Sequence, residues 1–76
     1  MDINNKVLTI DDKKYLVIET VEFEDKQYVY LLNKNDALDS MFREFFFEEN
    51  YGLKKIDPKL FEEKIYPLFI EKFQNY

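Results

Sequence analysis

The feature that most constrains this chain is its last twenty residues, Asp57 to Tyr76, the one segment with both a defined helix start and a long apolar stripe. Asp57 is a good N-cap because its carboxylate can accept an N–H of the first turn. Pro58 takes the first helical position, where its missing N–H removes nothing. Phe61, Ile65, Leu68, Phe69, Phe73 and Tyr76 recur at steps of three and four, which gathers them on one side of a helix. That side must lie on another element, and the rest of the chain reads as strands. The expected fold is therefore α+β, an antiparallel β-meander of four to five strands packed by one C-terminal α-helix, in a single domain over residues 1–76. Pro67 lies inside the helix, where it removes the hydrogen bond to the Glu63 carbonyl and crowds that turn. In an exposed helix this costs about 3 kcal/mol against alanine. A kink that wraps the helix over a twisted sheet is the plain expectation, and a hinge is the functional one.

Ahead of the helix, residues 1–5 form a polar lead-in and Lys6 to Ile10 a short strand. After the acidic turn at Asp11-Asp12, Tyr15 to Phe23 reads as a longer strand. Strict alternation places Tyr15, Val17, Glu19, Val21 and Phe23 on one face and Leu16, Ile18 and Thr20 on the other. Glu24-Asp25-Lys26-Gln27 carries no glycine, so a four-residue loop built on a type I turn is predicted before the third strand, Tyr28 to Leu32. Asn33-Lys34-Asn35-Asp36 is a clear break. The next stretch, residues 37–50, fits two patterns. Leu38, Met41, Phe42, Phe45 and Phe46 match a helical template, with Asp36 as N-cap and Gly52 beyond the end. Three successive phenylalanines, followed by an Asn50-Tyr51-Gly52 turn and a returning Leu53 to Ile56 strand, match a hairpin.

Composition excludes several classes of function. With no cysteine and no histidine the usual zinc ligands, disulfides and serine or cysteine triads are absent, and Ser40 is the only serine. There is no glycine-rich phosphate loop and no paired-carboxylate motif, so no catalytic residue and no cofactor are assigned. A calcium loop over Asn33, Asn35, Asp39 and Glu44 fails because Ala37 and Leu38 occupy its fifth and sixth positions, the sixth requiring glycine. A net charge of −5, with ten Lys and one Arg, argues against direct nucleic-acid binding. No apolar run is long enough for a membrane span, and no signal peptide opens the chain, so a cytoplasmic location is expected. The abundance of Lys, Asn, Ile, Phe and Tyr fits an AT-rich genome.

The layout resembles the YrzB-like group of short acidic bacterial proteins, a domain of unknown function. The resemblance is carried by Tyr15 to Phe23 followed by Tyr28 to Leu32, by Tyr51-Gly52-Leu53, and by Ile56-Asp57 leading into a helix with Leu60-Phe61-Glu62 and Leu68-Phe69. It implies a meander plus helix, with residues 37–50 as strand, and brings no activity. The aromatic Phe42 to Phe47 run and Pro67 depart from the family pattern.

Fourteen aromatic rings, eight Phe and six Tyr, exceed what a core of this size can bury, so some are expected at a partner interface. Phe42 and Phe46 on the fourth strand and Tyr66 and Ile70 off the main helical stripe, beside Leu60, are the candidate contact residues. The expected function is a non-catalytic protein-interaction domain, with a second copy of the chain or a foreign protein as partner. A different reading starts from Asp36, Asp39, Glu44, Glu48 and Glu49, which against Arg43 give residues 36–49 a charge of −4. Such an acidic surface fits an inhibitor of a nucleic-acid-binding protein, of the kind phage or mobile elements carry.

Overall fold

The computed structural model describes residues 5–47 and 51–75, with the side chains of Phe47 and Tyr51 excepted. Five strands, β1 (Val7–Ile10), β2 (Lys13–Phe23), β3 (Lys26–Asn33), β4 (Asp36–Phe47) and β5 (Tyr51–Lys54), form one antiparallel sheet in sequence order. A single C-terminal helix over residues 58–74 follows, as α1 (Pro58–Leu60), a π-helical turn (Phe61–Ile65) and α2 (Tyr66–Gln74). Residues 36–47 are therefore strand, and the α+β meander expected from the sequence is the fold.

Two hairpin connections are tighter than their composition implies. Ile10 pairs with Lys13 across Asp11-Asp12, and Phe23 pairs with Lys26 across Glu24-Asp25. Positive φ at all four turn residues (51, 66, 50 and 65°) gives two type I′ turns. The four-residue loop expected at residues 24–27 is thus a two-residue turn. Asp11, Asp12 and Asp25 are of a type that tolerates the left-handed region, and at Glu24 the twist of the flanking strands favours the primed turn without such a residue.

The core has two sides because β2 changes face midway. Val17 pairs with Leu31 and Glu19 with Tyr30, so Ile18 is an extra residue and the alternation restarts beyond it. The face assigned to Tyr15, Val17, Glu19, Val21 and Phe23 is accordingly split. Tyr15 and Val17 join Leu8, Val29, Leu31 and Phe45 in a cluster built from strands alone, which the curled sheet closes over. Glu19, Val21 and Phe23 pass to the other face. There Val21 and Tyr28 meet the fully buried Ile65 and Phe69 of the helix. Consecutive Tyr28 and Val29 point into opposite cores, so β3 is covered on both sides.

The helix begins as its sequence dictates. Asp57 accepts the Leu60 N–H at 3.1 Å, and Pro58 fills the first helical position. The effect of Pro67 is taken up ahead of it by the π turn, in which the Tyr66 N–H reaches the Phe61 carbonyl, five residues back. Phe61, Leu68 and Phe73 pack beside Ile65 and Phe69 as the stripe requires, and Leu60, expected off the stripe, packs with them. Tyr76 lies outside the described residues.

Candidate interaction site

Phe42 is the hub of the aromatic surface. Its ring stacks on Tyr30 at 4.7 Å and meets Phe61 at 4.9 Å, Phe69 at 4.9 Å and Tyr66 at 6.2 Å. It is half-buried, so its role is first to join β4 to the helix and only at its open edge to face solvent. Tyr66 owes its place to the π turn. Residues five apart lie roughly 140° apart around a regular α-helix, which is why periodicity put Tyr66 off the stripe. The wider turn swings Tyr66 over Phe61, their centroids 5.4 Å apart, and leaves it 43% exposed.

Beside this triad lies an open cleft of about 330 Å³, lined by Phe42, Ile56, Pro58 and Phe61 and rimmed by Arg43 and Lys55. Arg43 is the chain's only arginine, and its Nη1 donates to the Phe42 carbonyl at 2.8 Å, which holds the guanidinium at the cleft. Lys55 extends from the segment between β5 and the helix. A larger recess of about 530 Å³ is lined by charged and amide residues, among them Lys13, Asn33 and Asp36.

Phe46 is exposed as the alternation of β4 required, at 38%. It pairs with Gly52, which lies inside β5 and not in the turn where the sequence placed it. A Cβ at position 52 would come within 2.1 Å of the Phe46 ring, so the glycine is what lets the ring lie flat across the edge strand. Ile70 is half-buried and stands outside the packed cluster. The four candidate contact residues therefore divide: Phe42 and Tyr66 meet directly, while Phe46 lies on β4 about 13 Å from Phe42 at strand spacing.

The acidic candidates do not form one surface among the described residues. Asp36 accepts the Leu38 N–H at 3.0 Å and so closes its own turn. Asp39 accepts the Tyr15 hydroxyl, and Asn33 Nδ2 at 3.0 Å, while Asn33 Oδ1 accepts the Asn35 N–H at 2.8 Å. Glu44 stands opposite Lys54, some five residues and about 17 Å along β4 from Asp39. Glu48 and Glu49 lie outside the described residues. The same network occupies Asn33, Asn35 and Asp39 of the failed calcium loop, and no group of three or more potential metal ligands occurs among the described residues.

Tyr15 and Asp39 are tuned against each other. The Tyr15 hydroxyl, with Asn33 second, holds the Asp39 carboxyl below its ordinary value of 3.8, and the bond to Asp39 pushes Tyr15 above 10.0. A depressed carboxyl stabilises the fold above its ordinary value, and that contribution is lost as pH falls through the folded value. A raised phenol stabilises below 10.0 and loses its contribution as pH rises through the folded value. Burial, then Glu44 and Glu24, also raises Tyr28, so the alkaline limb has two sources. The expected result is that Asp39→Asn and Tyr15→Phe each flatten the loss of stability below pH 3.8 and each weaken the alkaline limb, since either substitution removes one member of the pair. Urea unfolding at a series of pH values checks this, and an Asp39→Asn variant with an unchanged acid limb would refute it.

Glu19 is the buried carboxylate of the helix-covered face. It accepts the Thr20 N–H at 2.9 Å and lies 3.8 Å from the Lys72 ammonium, tying α2 to β2 beside the bulge. Neither alternation nor charge pattern singled it out as a tie, because its partner lies 53 residues away.

No described helix is long and apolar enough to cross a membrane. In comparisons with known proteins the chain matches no family model, no curated protein and no solved structure.

Proposed function

We propose that this chain is a non-catalytic protein-interaction domain of the cytoplasm whose contact surface is the aromatic cleft between β4 and the start of the helix. The observation that supports it is Tyr66, a large ring left 43% exposed while in contact with Phe42 and Phe61, two of the residues that line an apolar cleft. Aromatic side chains beside a preformed apolar pocket, with cations at the rim, are the composition from which interface hot spots are built. The absence of histidine and cysteine from the sequence leaves few groups for nucleophilic or acid–base chemistry, which favours binding over catalysis. Placing a photoreactive phenylalanine analogue at position 66, with the exposed Thr9 on β1 as control, tests the reading in the native cell. Position 66 is expected to give discrete crosslinked protein adducts that position 9 does not. Equal, diffuse labelling at both positions would overturn the proposal.

A further inference from the structure

One leucine stands almost wholly in solvent. Leu38 is 95% exposed, in a bulge where Leu32 pairs with Ser40 and Asn33 with Asp36, leaving residues 37–39 unpaired. A lone exposed leucine is ordinary. Here the backbone on both sides of it is fastened, by the Leu38 N–H to Asp36 and by the Asp39 carboxylate to Tyr15 and Asn33. The side chain is presented as a knob whose backbone is already ordered, which lowers the entropy cost of docking it. It is flanked by two carboxylates, each keeping one oxygen, Asp36 Oδ2 and Asp39 Oδ1, without a hydrogen bond to a described residue.

Four residues along the same strand lies the complement. The cleft floor of Phe42, Ile56, Pro58 and Phe61 is apolar, its volume of about 330 Å³ accommodates a leucine side chain, and Arg43 and Lys55 stand at its rim. Arg43 spends Nη1 on the Phe42 carbonyl, and the remaining guanidinium N–H groups can still donate. Asp57, next to Pro58, is engaged at the helix start. Lys13 lies close enough to Asp39 to lower its pKa, and Lys34 shares the turn, so the match is one of particular groups and not of whole surfaces.

We infer that Leu38 of one copy of this chain docks in the Phe42–Ile56–Pro58–Phe61 cleft of a second copy, with Asp36 and Asp39 turned toward Arg43 and Lys55. This rests on the interaction reading above and names its partner. Leu38 and the Phe42 that walls the cleft lie on one strand about 13 Å apart. Two β4 strands set antiparallel about a twofold axis near Ser40 make both contacts at once, which is the isologous arrangement of a closed dimer. The net charge of −5 on each copy opposes association, so the dimer is a weak one.

Sedimentation equilibrium of the full chain from micromolar to millimolar concentration tests it. Wild type is expected to show a monomer–dimer equilibrium, weakened about tenfold or more by Leu38→Ser. The melting temperature should not change, because the side chain is solvated. Lys55→Glu and Asp36→Lys are each expected to weaken association, and an equimolar mixture of the two variants to restore it, since in the mixed dimer position 36 of each copy again meets a position 55 of opposite sign. A dimer unaffected by Leu38→Ser, or a mixture no stronger than its parts, would overturn the inference. A strictly monomeric wild type would also overturn it. If position 66 still crosslinks to another protein in that case, only the identity of the partner is lost.

Discussion

Phe69→Ala is expected to destabilise the protein by about 3–5 kcal/mol, a large part of what a domain of this size has. The ring is fully buried, it packs with Val21, Tyr28 and Ile65, and it meets Phe42 and Phe73 edge-on or tilted. Its removal takes away apolar burial and leaves a cavity between two elements that cannot collapse independently, since the sheet is held by its own ladder and the helix by its cap. Phe61→Ala should cost less, because that ring is half-buried at the cleft and water already reaches one side of it. Urea unfolding followed by circular dichroism measures both. A Phe69→Ala midpoint within error of wild type would mean that the helix does not close the core.

Leu31→Ala carries the second large effect, about 2–5 kcal/mol, on the face of the sheet whose described cluster contains no helical residue. Leu31 is fully buried among Leu8, Tyr15, Val17, Val29 and Phe45, a cluster drawn from β1 to β4 and closed by the curl of the sheet. If that face were an open, solvated side of a two-layer domain, the substitution would be nearly silent. Because the two clusters are separated by the sheet and share no residue, the Phe69 and Leu31 effects should add to within about 0.5 kcal/mol. Unfolding of the single and double variants in urea decides it. Strong non-additivity would show that the bulged β2 couples the two cores.

Together these variants locate the proposed interaction surface. The residues to avoid when testing binding are Phe69 and Leu31, which hold the fold, and the residues to use are Tyr66, Leu38 and Lys55, which face solvent. Phe42 belongs to both sets, and any loss of binding in a Phe42 variant would be inseparable from loss of packing.

Local chemistry made several parts of the structure legible in the chain. Asp57 and Pro58 define a helix start through contacts within one turn, and the apolar stripe of the helix marks its buried side by period. The exposure of Phe46 followed from alternation with Phe45, which is buried. Tertiary structure decided what local rules leave open. Ile18 was read as one more alternating residue, and only the pairing of β2 with β3 makes it a bulge that sends Tyr15 and Val17 to one core and Val21 and Phe23 to the other. Tyr66 and Leu60 were placed by a 3.6-residue period that the π turn before Pro67 breaks, so their neighbours depend on how the helix settles on the sheet. Asp39 was counted as surface charge, and its partner Tyr15 is 24 residues away, joined to it by the sheet. Leu38 matched an apolar helical position, and its exposure follows from a register shift between β3 and β4. Period and capping act over three or four neighbouring residues and can be read along the chain, whereas a bulge, a π turn or a cross-sheet hydrogen bond is selected by the fit of distant surfaces to one another.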